Sequence, residues 1–124
     1  MEGNMPKVTI SLKKGKTAEE KKVIFGAVHK ALMDAFKIPQ TDRTLFMNEY
    51  EPENMDGKEG FTLVEVSAFK GRTQEMKKLL YRLIVENLKN DAGIDPQAVM
   101  IIIYDVPKED WGIRGGQMAS EIIK

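Results

Sequence analysis

Two basic residues flank a glycine at Lys70-Gly71-Arg72, directly ahead of Thr73 and a helix-forming run. A basic pair on a glycine turn before a capped helix is suited to hold an anion, because the first helical turn carries unpaired N–H groups and a partial positive charge. The rest of the chemical inventory is short. With no cysteine and the single histidine His29, the composition excludes a Cys/His metal cluster and a thiol nucleophile. Chemistry must come from carboxylates, Lys, Arg, Tyr or an amine. His29 falls close to the apolar stripe of a helix and is assigned to packing or surface rather than catalysis.

The anion-binding turn has a copy. Lys14-Gly15-Lys16-Thr17-Ala18-Glu19 parallels Lys70-Gly71-Arg72-Thr73-Gln74-Glu75, and subtracting 15 from 71 gives an offset of 56 residues. The same offset pairs Ser11 with Ser67, Lys21-Lys22 with Lys77-Lys78, and Ile38 with Ile94. One unit has been written twice, and each copy reads strand, glycine turn, capped helix, strand.

In the first copy, residues 6–55, Val8, Ile10 and Leu12 alternate with polar residues, as in a strand with one buried face. Thr17 and Glu20 form a capping box that starts a helix at about Ala18. Ile24, Ala27, Val28, Ala31, Leu32 and Ala35 make one apolar stripe that ends near Phe36, ahead of Pro39. Thr44 to Tyr50 is the second strand, and a loop around Pro52 and Gly57 is the seam. The second copy, residues 61–106, reads Phe61 to Phe69 as strand and Thr73 as cap. Its helix runs through Met76, Leu79, Leu80, Leu83, Ile84 and Leu88 to a stop at Gly93. Val99 to Ile103 is apolar at consecutive positions, which predicts a central strand buried on both faces. Asp110 to Ser120 is too rich in glycine for a helix, residues 107–124 read as a hairpin or tail reaching a neighbour, and residues 1–5 read as an extension.

Right-handed crossovers put both helices on one face. The expected class is therefore α+β, a single domain with a tandem β-α-β repeat and a four-stranded mixed sheet. The chain supplies nothing for the other sheet face, which implies an oligomer packed sheet against sheet. Nineteen basic and nineteen acidic residues cancel, so no field is available to hold nucleic acid. Neither a membrane span nor a signal-peptide pattern is present in the sequence, and the expected location is cytoplasmic.

Met5-Pro6 opening a strand, the Gly-[Lys/Arg]-Thr turn before a helix, and Trp111-Gly112-Ile113-Arg114-Gly115-Gly116-Gln117-Met118-Ala119-Ser120 together resemble the tautomerase superfamily. The resemblance spans Met5 to about Ser120. Asp34 to Arg43 and Glu109-Asp110-Trp111 are most similar to the malonate semialdehyde decarboxylase branch, itself a fused double unit. The resemblance implies a 4-oxalocrotonate-tautomerase-like fold, a homotrimer, no cofactor, and a small carboxylate substrate. Pro6 matches the proline whose secondary amine moves protons, Asp42 the acid that positions substrate or water, Arg72 the carboxylate-binding arginine, and Trp111 an apolar wall. Lys70 stands where the decarboxylase branch has a second arginine, which keeps charge but loses the bidentate fork.

The leading expectation is proton transfer on a 2-oxo or 3-oxo carboxylate. Decarboxylation of a malonate-semialdehyde-like acid or hydration of an acetylenic one is the enzymatic alternative. A non-catalytic trimeric anion-binding protein is the alternative of another class. As written, Pro6 follows Met5, and a proline nitrogen in a peptide bond is an amide with no basic lone pair. Amine chemistry therefore requires that residues 1–5 be removed, or that synthesis start at Met5 with its methionine clipped.

Overall fold

The computed structural model describes residues 6–123. The Met1-to-Met5 extension, on which the state of the Pro6 nitrogen depends, lies outside the described residues. The chain runs β1 (Lys7–Lys13), α1 (Ala18–Phe36), β2 (Leu45–Tyr50), β3 (Thr62–Phe69), α2 (Gln74–Ala92) and β4 (Val99–Val106). A two-stranded hairpin of β5 (Gly112–Ile113) and β6 (Gln117–Met118) and one helical turn, α3 (Ala119–Ile122), follow.

Both long helices, α1 and α2, begin where a threonine dictates. Thr17 Oγ1 accepts the Glu20 N–H at 3.1 Å while Glu20 Oε1 accepts the Thr17 N–H at 2.8 Å, so two otherwise orphaned donors are satisfied reciprocally. Thr73 Oγ1 accepts the Met76 N–H at 3.1 Å and starts α2. The helices end in the left-handed conformation, α1 at Lys37 with φ of 58° and α2 at Gly93 with φ of 68°. Gly93 donates to the carbonyls of Leu88 and Lys89.

The sheet order is β2-β1-β3-β4, with β1 parallel to β2, β3 parallel to β4, and the central pair β1/β3 antiparallel. Each unit carries its second strand to an edge, and the two first strands meet in the middle. The expectation that Val99 to Ile103 forms a central strand is therefore corrected: β4 is an edge strand. Its side chains alternate between the helix side, where Val99, Ile101 and Ile103 pack on the core, and the open side, where Met100, Ile102 and Tyr104 are 50, 36 and 44% exposed. The run is apolar on both faces, but this chain covers only one.

Val8, Ile10 and Leu12 of β1, Val64 and Val66 of β3, the α1 stripe from Ile24 to Ala35, and Leu80, Ile84 and Leu88 of α2 form one buried cluster. Fully burying each large aliphatic side chain stabilises the fold by about 1.5–3 kcal/mol. A second cluster joins Phe69, Ala119 and Ile123 to Trp111, Ile113 and Ile122, and it docks the C-terminal hairpin and α3 against the end of β3. The glycine density of that tail admits the hairpin, while the Ala119-Ser120-Glu121-Ile122 segment beyond it closes one helical turn, against the expectation that no helix forms there. Among the described residues no helix is long and apolar enough to cross a membrane.

Candidate active site

The elements that could carry chemistry meet at one end of the sheet. Because β1 and β2 run parallel and β3 and β4 run opposite to them, the starts of β1 and β2 lie beside the ends of β3 and β4. Pro6, the residue before β1, is buried. Lys7 is level with Ser67 and Val8 with Leu45, so continuing both registers by one and two residues sets Pro6 beside Ala68 on one side and Arg43 on the other. The Val8 N–H donates to Thr44 O at 3.0 Å and closes the β2 side. Proline suits this position, since a strand start tolerates a residue with no N–H to donate.

Arg72 is held from two directions. Its Nη1 donates to Phe69 O at 2.9 Å, and its guanidinium carbon lies 4.7 Å from the centre of the Phe36 ring at the end of α1. Gly71, with φ of 133°, turns the chain into α2 through a conformation that side-chain-bearing residues rarely adopt. Burial pushes the Arg72 guanidinium down from its ordinary value, and the carboxylates of Asp105 and Asp42 push it back up. It remains a cation at neutral pH. A guanidinium that has lost part of its water and stands over an aromatic face is well prepared to take an anion.

Asp42 reaches the same end from the turn between α1 and β2. Its N–H donates to Pro39 O at 3.1 Å, and its carboxylate acts electrostatically on Arg72 and on His29. Lys70 occupies the same turn as Arg72 but its side chain is exposed, and its backbone N–H donates to Val106 O at 3.1 Å. Trp111 stands edge-on to Phe69, with ring centres 5.0 Å apart and planes at 83°, and its Nε1–H donates to Val106 O at 3.1 Å. The structure thus gathers Pro6, Asp42, Arg72 and Trp111 at one end, with Lys70 at the solvent margin. None of these placements assigns a role by itself.

Sequence reasoning missed the aromatic floor. Phe36 was read only as the last residue of α1, and Phe69 only as the last of β3, whereas Phe36 carries the guanidinium and Phe69 joins the Arg72 anchor to Trp111. Lys108 Nζ also stands 5.8 Å from the Phe69 ring centre. Both aromatics close an element on its apolar side next to a glycine or proline turn, which is the signal that would have marked them. Asp105, bound to Lys77 at 2.6 Å, was missed as well, because its influence on Arg72 crosses from β4 to α2.

The opposite end of the sheet shows what became of the other copy. There a cavity of about 440 Å³ is lined by Lys14, Lys16, Glu20, Glu59 and Asp95 among others, so carboxylates share the site with the lysine equivalent to Arg72. A second cavity of about 480 Å³ lies beneath the loop after β2, lined by Tyr50, Met55, Phe61, Leu63 and the buried Ser11. Among the described residues no group of three or more His, Asp and Glu side chains is arranged to hold a metal ion.

A tandem β-α-β unit with an arginine, an aspartate and a strand-initial proline at one sheet end defines the class: a fused, double-unit tautomerase-like fold. Two family profiles described as tautomerase enzyme match the chain, one over residues 6–56 and one over residues 50–114, the latter more than half of its length. The chain belongs to the tautomerase family. It is 29% identical to a probable tautomerase, YrdN, of Bacillus subtilis strain 168, with 91% of this chain and 94% of that protein aligned. It is 35% identical over 51 residues to a 2-hydroxymuconate tautomerase of Comamonas testosteroni, covering 41% of this chain and 81% of that one. Among solved structures, a malonate semialdehyde decarboxylase described with decarboxylase and hydratase activities superposes with a TM-score of 0.82 at 26% identity, covering 90% of this chain and 93% of that one. A native fused 4-OT superposes at 0.87 with 20% identity, covering 95% and 99%, and it speaks for the fold alone.

Proposed function

We propose that this chain is a tautomerase-type enzyme that transfers a proton on a small 2-oxo or 3-oxo carboxylate, with Pro6 as the proton carrier. The observation that carries the reading is the half-buried Arg72 guanidinium, stacked on Phe36 and anchored to Phe69 O at the sheet end where β1 begins. The first tautomerase match also begins at Pro6.

Arg72 grips the substrate carboxylate, with Lys70 adding charge from the margin. A carboxylate so held places the adjacent carbonyl and its neighbouring carbon toward the strand start. A free Pro6 amine then removes the proton from the enol oxygen and delivers one to carbon, so the product is an isomer and the amine ends as it began. Apolar walls and nearby cations disfavour the charged amine and bring its pKa toward neutrality, where such shuttling is most effective. Asp42 orients the substrate, and Trp111 with Phe69 forms the apolar wall.

The same reading includes a homotrimer. On the sheet face without helices, Met100, Ile102 and Tyr104 leave an exposed apolar stripe along β4, and Phe46 is exposed on β2 at the opposite edge, with Thr9 and Glu65 between them. Fused 4-OT structures related in fold are described as trimers.

One observation favours decarboxylation or hydration as a second reading: Asp42 lies within electrostatic reach of Arg72, where a carboxylate could work on a water or on a second acid group. Ketonisation of phenylenolpyruvate, set beside carbon dioxide release from malonate semialdehyde, separates the two. Faster turnover of the first supports the tautomerase reading, and turnover of the second alone replaces it. Binding of a carboxylate with neither turnover, in a form with a free Pro6 amine, would leave a non-catalytic anion-binding protein.

A further inference from the structure

We infer that His29 is a positioning residue for Asp42, acting through the backbone of the turn that presents the carboxylate. The inference rests on the proposed function for its kinetic part only. His29 sits in the middle of α1, is 2% exposed, and is the only imidazole in the chain. Its Nε2 lies 3.0 Å from Gln40 O. A carbonyl only accepts, so Nε2 carries the hydrogen and donates it.

The turn it holds is short. The chain leaves α1 through Lys37 in the left-handed region, buries Ile38, turns at Pro39, and closes with the Asp42 N–H donating to Pro39 O at 3.1 Å. Pro39 O is therefore fixed by Asp42 itself, and Gln40 O is fixed by His29. These two bonds, one local and one to the helix beneath, both hold the turn that leads to Asp42. Asp42 and Arg43 in turn are the charged groups that act on the imidazole, with opposite signs. A packing role alone would be met by a leucine. A buried imidazole whose one hydrogen bond goes to a carbonyl two residues before the carboxylate is matched to anchoring instead.

The test uses His29→Leu, which keeps bulk and loses the donor, and His29→Gln, whose amide can donate to the same carbonyl. Backbone amide hydrogen exchange is measured in the substrate-free protein, together with kcat and KM for the oxo acid in the form that begins at Pro6, each also in an Asp42→Asn background. His29→Leu is expected to speed exchange at residues 40–44 by about tenfold, near the upper range for loss of one hydrogen bond, with α2 amides unchanged. It should lower kcat by roughly the same factor with KM held within about twofold, since Arg72 is untouched. His29→Gln should recover most of both effects, and His29→Leu should add little once Asp42 is already asparagine. Unchanged exchange at 40–44, a general loss of protection across the core, or full additivity with Asp42→Asn would overturn the inference. Should His29→Leu fail to fold, His29→Asn, whose shorter amide stops short of Gln40 O, takes its place. Faster exchange with no oxo-acid turnover in any form would uphold the anchor while rejecting the catalytic reading. Normal exchange in an active His29→Leu enzyme would reject the anchor while sparing that reading.

Discussion

Replacing Arg72 by alanine removes the donor set for a substrate carboxylate together with structural contacts that include the stack on Phe36 and the bond to Phe69 O. Only the first belongs to catalysis, and its size follows from charge-assisted hydrogen bonding, about 1.5–3 kcal/mol. That corresponds to a loss of roughly 10- to 150-fold in kcat/KM. Arg72→Lys keeps the charge but not the fork or the flat face, and should fall between wild type and alanine. Lys16→Ala is the internal control, because Lys16 holds the equivalent place in the first copy, in a cavity it shares with Glu20, Glu59 and Asp95. Its effect should stay within about twofold, as expected of a half-buried charge outside the site. Steady-state kinetics on one oxo acid with all three variants, each in the form that begins at Pro6 and checked by equilibrium unfolding for loss of the Phe36 stack, make the comparison. Equal, small effects from Arg72→Ala and Lys16→Ala would mean that Arg72 is an ordinary turn residue.

Ile102→Asp, on the uncovered sheet face, should convert a trimer to monomer in sedimentation at micromolar concentration, and a stable wild-type monomer would remove the basis for a trimer. Ile84→Ala should cost about 2–5 kcal/mol in urea unfolding at fixed protein concentration, since Ile84 is fully buried between α2 and the sheet. Burial lowers the His29 pKa from its ordinary value of 6.5, against the pull of Gln40 O, so the unfolded chain binds the proton more readily than the folded one. The His29 contribution to stability should therefore be complete above the unfolded value and decline as pH falls from there toward the lower folded value. Unfolding curves across that window should show a decline that His29→Gln lacks, and parallel pH profiles for the two would refute it.

The repeat and the helices were legible because local signals agreed with the tertiary outcome. Thr17 with Glu20 and the Ile24-to-Ala35 stripe specify α1 without reference to anything distant, and Thr73 with Gly93 does the same for α2. The position of β4 was not legible. An unbroken apolar run is written alike whether its second face is covered by its own helices or left open, and only the sheet order distinguishes them. The candidate site was legible in part. Arg72 and Lys70 were marked by a local pattern, while Pro6, Asp42 and Trp111 rested on family resemblance. Phe36 and Phe69 carried only the weak signal of an aromatic closing an element beside a proline or glycine turn, and Asp105 acts on Arg72 from another element, so no local spacing announces it. His29 in particular reads as one more member of an apolar stripe, because its polar partner is a backbone carbonyl, which no sequence pattern displays.

The central claim is that the Pro6 amine moves the proton, and one covalent fact exposes it to test. A proline nitrogen acylated by Met5 is an amide that takes up no proton near neutral pH, whereas a chain that begins at Pro6 carries a tunable secondary amine. The decisive measurement compares oxo-acid turnover, and binding of a non-reacting carboxylate analogue, between the 124-residue chain and a form that begins at Pro6. The account predicts turnover in the trimmed form only, abolished again by acylating its Pro6. Analogue binding retained in the full chain would attribute the loss to the missing amine, and binding lost as well would attribute it to obstruction by residues 1–5. Equal turnover by both forms would contradict the account and make Asp42 the base to examine.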